Sequence, residues 1–255
     1  LRYFIELSYN GKAYHGWQNQ PNAISVQEVL EKALTTLLKE KIAIVGAGRT
    51  DTGVHAKQMF AHFDASIAFD FEELKYKLNS LLPKDIAVQD IFKVNSEAHA
   101  RFDAISRTYI YRISFHKNVF SISDSYYFKQ ELDIDKMNEA AKVLLDYEDF
   151  KCFSRSNTDV KTYNCNILKA AWTLEPNELV FTIKANRFLR NMVRAIVGTM
   201  INIGTGKIEV EQLHDIIKSK DRSKAGASVP GHALYLTKIE YPKSVKKISP
   251  ESYQD

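Results

Sequence analysis

The stretch IAIVGAGRTDTGVHAKQMFAHFDA, Ile42 to Ala65, sets two apolar runs on either side of a segment rich in glycine. IAIV reads as a strand, and QMFAHFDA as its antiparallel continuation. Between them, Gly46, Gly48 and Gly53 accompany one arginine, Arg49, and one acid, Asp51. Such a segment packs poorly and costs conformational entropy to order. It is either a tight turn or a backbone held in an unusual shape to present Asp51.

Upstream, RYFIELSY alternates in the strand manner, with Tyr3, Ile5, Leu7 and Tyr9 on one face. A helix follows from Ser25, with Glu28 three residues on completing a capping box. Its buried stripe is Val26, Val29, Leu30, Ala33, Leu34, Leu37 and Leu38. Downstream, a second helix starts at Asp70 with Glu73 as capping partner and stops before Pro83. IAVQDIFKV then closes the half as a strand.

From about Ser106 the order recurs. SRTYIYRISF is a strand, and Asp133 to Asp146 a helix around Met137, Ala141, Leu144 and Leu145. KAAWTL and ELVFTIKA form a hairpin across EPNE. A long helix is expected over roughly Phe188 to Ile203 and a smaller one from Val210 to Lys220, before the last strand, ALYLTKIEY. Each half approximates β-α-β-β-α-β. The expected fold is α+β: two RRM-like, ferredoxin-like halves, residues 1–104 and 105–255, with mainly antiparallel sheets joined side by side and a cleft between them. The loops YNGKAYHGWQNQPNA and FSRSNTDVKTYNC are long and polar, where binding residues tend to lie. The tail KSVKKISPESYQD is polar and expected to fray.

Composition narrows the function classes. The chain has 255 residues, 45% hydrophobic and 26% charged, as in ordinary soluble globular proteins. A net charge of +4 favours a polyanionic partner only weakly. No apolar run approaches the ~18 residues of a membrane span, and no signal peptide is visible. Cys152 and Cys165 fit no metal or redox spacing, and the seven histidines do not cluster, so neither metal nor cofactor is expected, and the default compartment is the cytoplasm.

Asp51 admits several readings. It can be a turn acid bonding a local N–H or pairing with Arg49. A phosphate-cradling loop would need Gly-Lys-Ser/Thr to follow, and the acid would repel the phosphate. An aspartic-protease DTG needs a second aspartate sharing a proton, and Arg49, two positions away, works against sharing. What remains is a lone carboxylate, kept ionised by guanidinium groups, that suits attack on an electrophilic carbon. One acid rather than two argues against ordinary glycoside hydrolysis.

GRTDTGVHA, Gly48 to Ala56, resembles the signature of the tRNA pseudouridine synthases, in particular the TruA family acting on the anticodon arm. YNGKAYHGWQNQP resembles that family's opening, ARFDAISRTYIYRI its second motif, NRFLRNMVRAIVG its third and LYLTKIEYP its closing strand. The resemblance runs from Tyr3 to Pro242. It implies the pseudouridine synthase fold, Asp51 as nucleophile, Arg49 as the arginine of the same loop, Tyr109 as the tyrosine against the target base and Arg194 as the arginine pairing with the aspartate. It further implies a homodimer, and uridines 38–40 of several tRNAs as targets.

The chemistry asks for little more. Isomerising uridine to pseudouridine cuts the N1–C1′ bond, turns the uracil and rejoins it through C5, with no redox change. Tyr109 and Tyr111 share one side of their strand; Tyr109 suits stacking on a base, and Tyr111 suits the core. Arg187, Arg190 and Arg194 recur at i, i+3 and i+7, expected to form one helical stripe without an acid between Ala185 and Lys207. Arg187 and Arg190 are read as phosphate contacts and Arg194 as the partner of Asp51. His55 is read as a structural hydrogen-bonder and Trp17 as a core residue. The alternative function is a non-catalytic RNA-binding protein with tandem RRM-like halves.

Overall fold

The computed structural model describes residues 1–119, 122–155 and 160–245, arranged in two compact units. The first is Leu1–Ile105 together with the chain from Leu236; the second is Ser106–Tyr235. Residues 156–159 of the FSRSNTDVKTYNC loop, and the tail from 246 on, lie outside the described residues.

In the first unit β1 (Arg2–Tyr9), α1 (Val26–Leu38), β2 (Ile44–Gly46), β3 (His55–Asp64), α2 (Phe71–Leu81) and β4 (Ile86–Lys93) follow in that order. β1 is central and antiparallel to both β3 and β4. β2 turns back on β3 with Ile44 opposite Phe63, so the strand–loop–strand reading of 42–65 holds. Helix α1 starts where Ser25 Oγ accepts from the Glu28 N–H at 3.1 Å. Glu28 does not complete the box: its carboxylate meets Lys32 at 2.6 Å instead, the i,i+4 pairing open to an exposed lysine. Lys39 ends the helix in the left-handed conformation, φ 57°. Asp70 caps α2 through the Glu73 N–H at 2.7 Å.

Both faces of this sheet carry apolar packing, one more than simple alternation suggests. Tyr3, Phe63, Phe69 and Phe71 cluster on one side. On the other, Phe4 meets His62, Phe92 and Tyr241, and Tyr241 meets Phe60 edge-on. Within α1, Val26, Leu30, Ala33, Leu34 and Leu38 are buried, while Val29 and Leu37 stop half-way.

The second unit contains β5 (Ser106–Ser114), β6 (Tyr126–Tyr127), α3 (Ile134–Val143), β7 (Ile167–Glu175), β8 (Glu178–Ala185), α4 (Met192–Gly204) and α5 (Val210–Ser219). β8 lies between β5 and β7, antiparallel to both. β6, which the sequence reading missed, pairs parallel to β5 over two residues, too few for any periodicity to register. Trp172 stacks on Phe181 at 4.7 Å and donates its indole N–H to Met200 Sδ at 3.1 Å. The last strand, β9 (Leu234–Glu240), hydrogen-bonds to β3. From Leu236 on it therefore belongs to the first unit, where the sequence order alone had placed it at the end of the second.

Two expectations for helices need correction. After Val143 the chain tightens into a 3-10 turn over Leu144–Asp146, which keeps Leu144 buried but turns Leu145 outward. The long helix begins at Met192, not Phe188. Asn191 is left-handed, φ 68°, and the Arg190 carbonyl accepts from the Arg155 N–H at 3.0 Å rather than from within a helix. Once it starts, α4 is buried on almost every side; only Arg194 and Asn202 escape. Among the described residues no helix is long and apolar enough to cross a membrane, and no group of three His, Cys, Asp or Glu is placed to hold a metal ion.

His62 marks a pH-dependent part of this fold. Its Nδ1 accepts from the Ala100 N–H at 3.1 Å, and its ring lies 4.6 Å from that of His99. Burial first, then the charges of His99 and Arg2, push its pKa down from 6.5 to about 4. Between those values the unfolded chain binds the proton and the folded chain does not, so stability falls as pH drops through that window. We expect thermal denaturation to lose on the order of 2 kcal/mol of stability there. His62→Gln should flatten that segment of the curve; an unchanged curve would refute the assignment.

Candidate active site

Asp51 lies on the irregular segment Ala47–Val54 between β2 and β3. Having no ladder of its own, this segment is held from the polar loop after β1. The Thr50 carbonyl accepts from the Trp17 N–H at 3.2 Å, the Gly53 N–H donates to Tyr14 O at 3.3 Å, and the Ala47 N–H donates to Phe60 O at 2.7 Å. Thr50, buried, shares a 2.8 Å hydrogen bond with the Tyr9 hydroxyl. The turn itself closes where the Val54 N–H donates to Asp51 O at 3.1 Å, with Gly53 at φ 77°. Tyr14, which supplies one of these carbonyls, is fixed by a 2.6 Å hydrogen bond to Asp85, and burial and that carboxylate raise its pKa well above 10.

Such contacts require two backbones to touch. A Cβ on Gly11 would overlap the Val54 carbonyl, and one on Gly16 would overlap that of Thr50; Gly16 also sits at φ 91°. Trp17, buried as expected, lies flat against Gly46, where an added Cβ would meet the indole at 2.5 Å. Gly48 differs: nothing lies within 4 Å of the Cβ it lacks. The space there is open to whatever approaches the loop.

The side chains sort by height. Thr50 is buried, Asp51 half-buried, and Arg49 and Thr52 exposed. Arg49 forms no ion pair among the described residues, so the turn-acid alternative in which it pairs with Asp51 does not hold. His55 is buried, and its Nδ1 accepts from the Gly11 N–H at 3.0 Å. That bond leaves the ring proton on Nε2 and gives this histidine a structural task.

In the second unit, Tyr109 on β5 is half-buried opposite Ile183, with the Phe188 ring edge-on at 5.2 Å. Tyr111, on the same face, is fully buried and donates its hydroxyl to Pro230 O at 3.0 Å. Burial, then Tyr126, raises its pKa well above 10, while the nearby Arg194 charge opposes the rise. Arg194 occupies the first turn of α4 and donates from Nε to Val229 O at 2.7 Å. The Val229 N–H donates back to Arg194 O at 3.2 Å.

Arg187 and Arg190 do not share a helical stripe with Arg194. They lie on the approach to α4, Arg187 half-buried and Arg190 exposed, because the helix starts only after Asn191. The Arg187 charge reaches the buried Cys165 thiol, whose pKa burial nonetheless pushes up to about 11. The sequence reading missed Phe188 and the segment 225–230, whose only outward sign was the run of small residues AGAS. Thus the first unit presents Asp51 and Arg49, and the second presents Tyr109, Arg194, Arg187 and Arg190.

A model of the tRNA pseudouridine synthase family matches residues 7–103 and 140–242. The chain is 54% identical to tRNA pseudouridine synthase A of Parabacteroides distasonis, over 96% of this chain and 97% of that protein. It is 52% identical to the protein of that name in Bacteroides fragilis, over 96% and 98%. The more distant Bacillus subtilis protein of that name is 39% identical over 94% and 99%.

The glycines make a paired test. Gly16→Ala should cost about 1–3 kcal/mol through both strain and overlap with Thr50, measured by denaturant unfolding. Gly48→Ala should change stability by less than about 0.5 kcal/mol. Equal effects of the two would show that backbone contact at Gly16 does not hold the loop.

Proposed function

The chain belongs to the tRNA pseudouridine synthase family, and on that premise we propose that Asp51, Tyr109 and Arg194 carry its isomerisation of uridine in tRNA. The observation that carries the reading is the Asp51 loop itself: an acid half-exposed beside a buried Thr50, on a backbone fixed by a hydrogen bond from the Trp17 N–H and another to the Tyr14 carbonyl. Rigid placement of a nucleophile removes much of the entropic barrier to attack.

Asp51 acts as the nucleophile. Arg194 supplies positive charge to the reaction. Its position supports a functional role. A cation in the first turn of a helix opposes the helix dipole, at a cost of roughly 0.3–1 kcal/mol. Tyr109 offers its ring to the uracil, with Phe188 bracing it from the side. Once C5 is bonded to C1′, its proton must leave to restore the C5–C6 double bond, and the Tyr109 hydroxyl or a water is the candidate to take it. Arg49, exposed beside the open space at Gly48, and Arg187 and Arg190 contact the RNA backbone.

The substrate uridines are those of the anticodon arm, positions 38–40. The two units act as RRM-like, ferredoxin-like platforms, Leu1–Ile105 with the chain from Leu236 carrying the aspartate loop, and Ser106–Tyr235 carrying the tyrosine strand and arginine helix. The β-α-β-β-α-β order of β1 to β4 with their helices supports this for the first. The working form is a homodimer in the cytoplasm. A protein that only bound RNA would gain nothing from an anionic side chain fixed in this way.

Asp51→Asn and Asp51→Ala should retain the wild-type melting temperature and tRNA affinity within about threefold, while pseudouridine formation in unmodified tRNA falls at least about 1,000-fold. Measurable turnover by a homogeneous Asp51→Ala preparation would refute the nucleophile assignment.

A further inference from the structure

Behind Arg194 runs a segment that no catalytic step uses, and its construction is specific. Residues 225–229 cross α4 at backbone contact distance. A Cβ on Gly198 would overlap the Ala227 carbonyl, and one on Gly226 would come within 2.6 Å of the Thr199 nitrogen. The Gly226 N–H donates to the Thr199 hydroxyl at 2.8 Å, and that hydroxyl donates to Ala195 O at 2.9 Å. The segment is therefore seated on the first two turns of the helix that carries Arg194.

Its far side is gripped by one residue. Arg222, half-buried, follows Asp221, which caps a short 3-10 turn through the Ser223 N–H at 2.8 Å. From there its Nη1 donates to Ala225 O at 3.4 Å and Gly226 O at 3.1 Å, and its Nη2 donates to Ser228 Oγ at 2.9 Å. Ser228 Oγ accepts a second bond, 2.6 Å, from the Asn191 amide at the start of α4. Val229, one residue further, holds the Arg194 Nε–H through its carbonyl at 2.7 Å. Among the described residues Arg222 forms no ion pair, so its guanidinium serves this segment alone.

We propose that Arg222 is a positioning residue for the isomerisation: by clamping 225–228 against α4 it fixes the Val229 carbonyl, and the carbonyl in turn fixes the direction of the Arg194 guanidinium. The inference rests on the reading of Arg194 given above. An arginine with three rotatable bonds beyond Cβ has many orientations, and a carbonyl accepting from Nε restricts the plane and direction in which the guanidinium can face. A misplacement of about 1 Å in such a group is enough to cost about 100-fold in rate. A lysine at 222 cannot reproduce a planar fork that reaches three acceptors.

The test uses Arg222→Gln, Arg222→Lys and Ser228→Ala in the full chain, with Arg194→Lys to assign the Arg194 Nε–H resonance and Asp51→Ala as the inactive reference. We expect each variant to lose the protected Arg194 Nε–H signal. We also expect kcat to drop at least about tenfold while KM for tRNA moves by less than about threefold. Ser228→Ala keeps Arg222 in place and guards against an arginine variant that does not fold. Retention of the Nε–H signal, or its loss with kcat unchanged, would overturn the inference while leaving Asp51 as nucleophile. Activity in Asp51→Ala would instead overturn the underlying reading of the site.

Discussion

The loop that presents Asp51 has no hydrogen-bond ladder of its own, and everything about the first unit follows from how that deficit is met. The backbone of residues 9–17 lies directly on it, donating and accepting in turn with Thr50 and Gly53. Contact that close excludes a Cβ, hence Gly11 and Gly16, and Gly46 admits the indole of Trp17 by the same logic. Side chains then complete what the backbone begins: Tyr9 bonds Thr50, and His55 bonds Gly11. The acid emerges from a scaffold that is rigid on both flanks, with its own side chain left at the rim.

The second unit solves a different problem with the same means. Helix α4 is apolar nearly all round, so its one arginine is placed at its very start, where a side chain can still leave the core. The helix dipole opposes a cation there, and no side chain caps the Asn191 position. The strap over Gly198 and Gly226 compensates with directed carbonyls and hydroxyls. Polar order around a charge is obtained from backbone, without a carboxylate in the first turn.

Much of this was legible in the amino-acid order, and the exceptions have physical causes. Caps at Ser25 and Asp70 are readable because the side chain and its target N–H lie three residues apart in sequence. Antiparallel pairing of β2 with β3 followed from two apolar runs across a glycine segment. The start of α4 was misread because NRFLRNMVR keeps helical periodicity straight through Asn191; only a distant N–H, that of Arg155, diverts the Arg190 carbonyl. A pairing of Arg49 with Asp51 is one alternative that the sequence allows, but the exposed Arg49 side chain forms no ion pair among the described residues. Arg222 was invisible: its three acceptors are a neighbour's hydroxyl and two carbonyls, and carbonyls leave no mark on a sequence.

The first unit is discontinuous, since β9 returns to β3 from Leu236 after 130 intervening residues, Ser106–Tyr235. On a ribosome, the amino-terminal sheet must therefore wait with part of β3 unpaired while the whole second unit is translated. At about 5–20 residues per second that interval lasts roughly 7–26 s, long compared with the folding of most small sheets. An open strand edge in a nascent chain is a site for wrong pairing with neighbouring chains on the same polysome. Chain order thus makes the arrival of the carboxyl-terminal strand the event that seals the sheet carrying the aspartate.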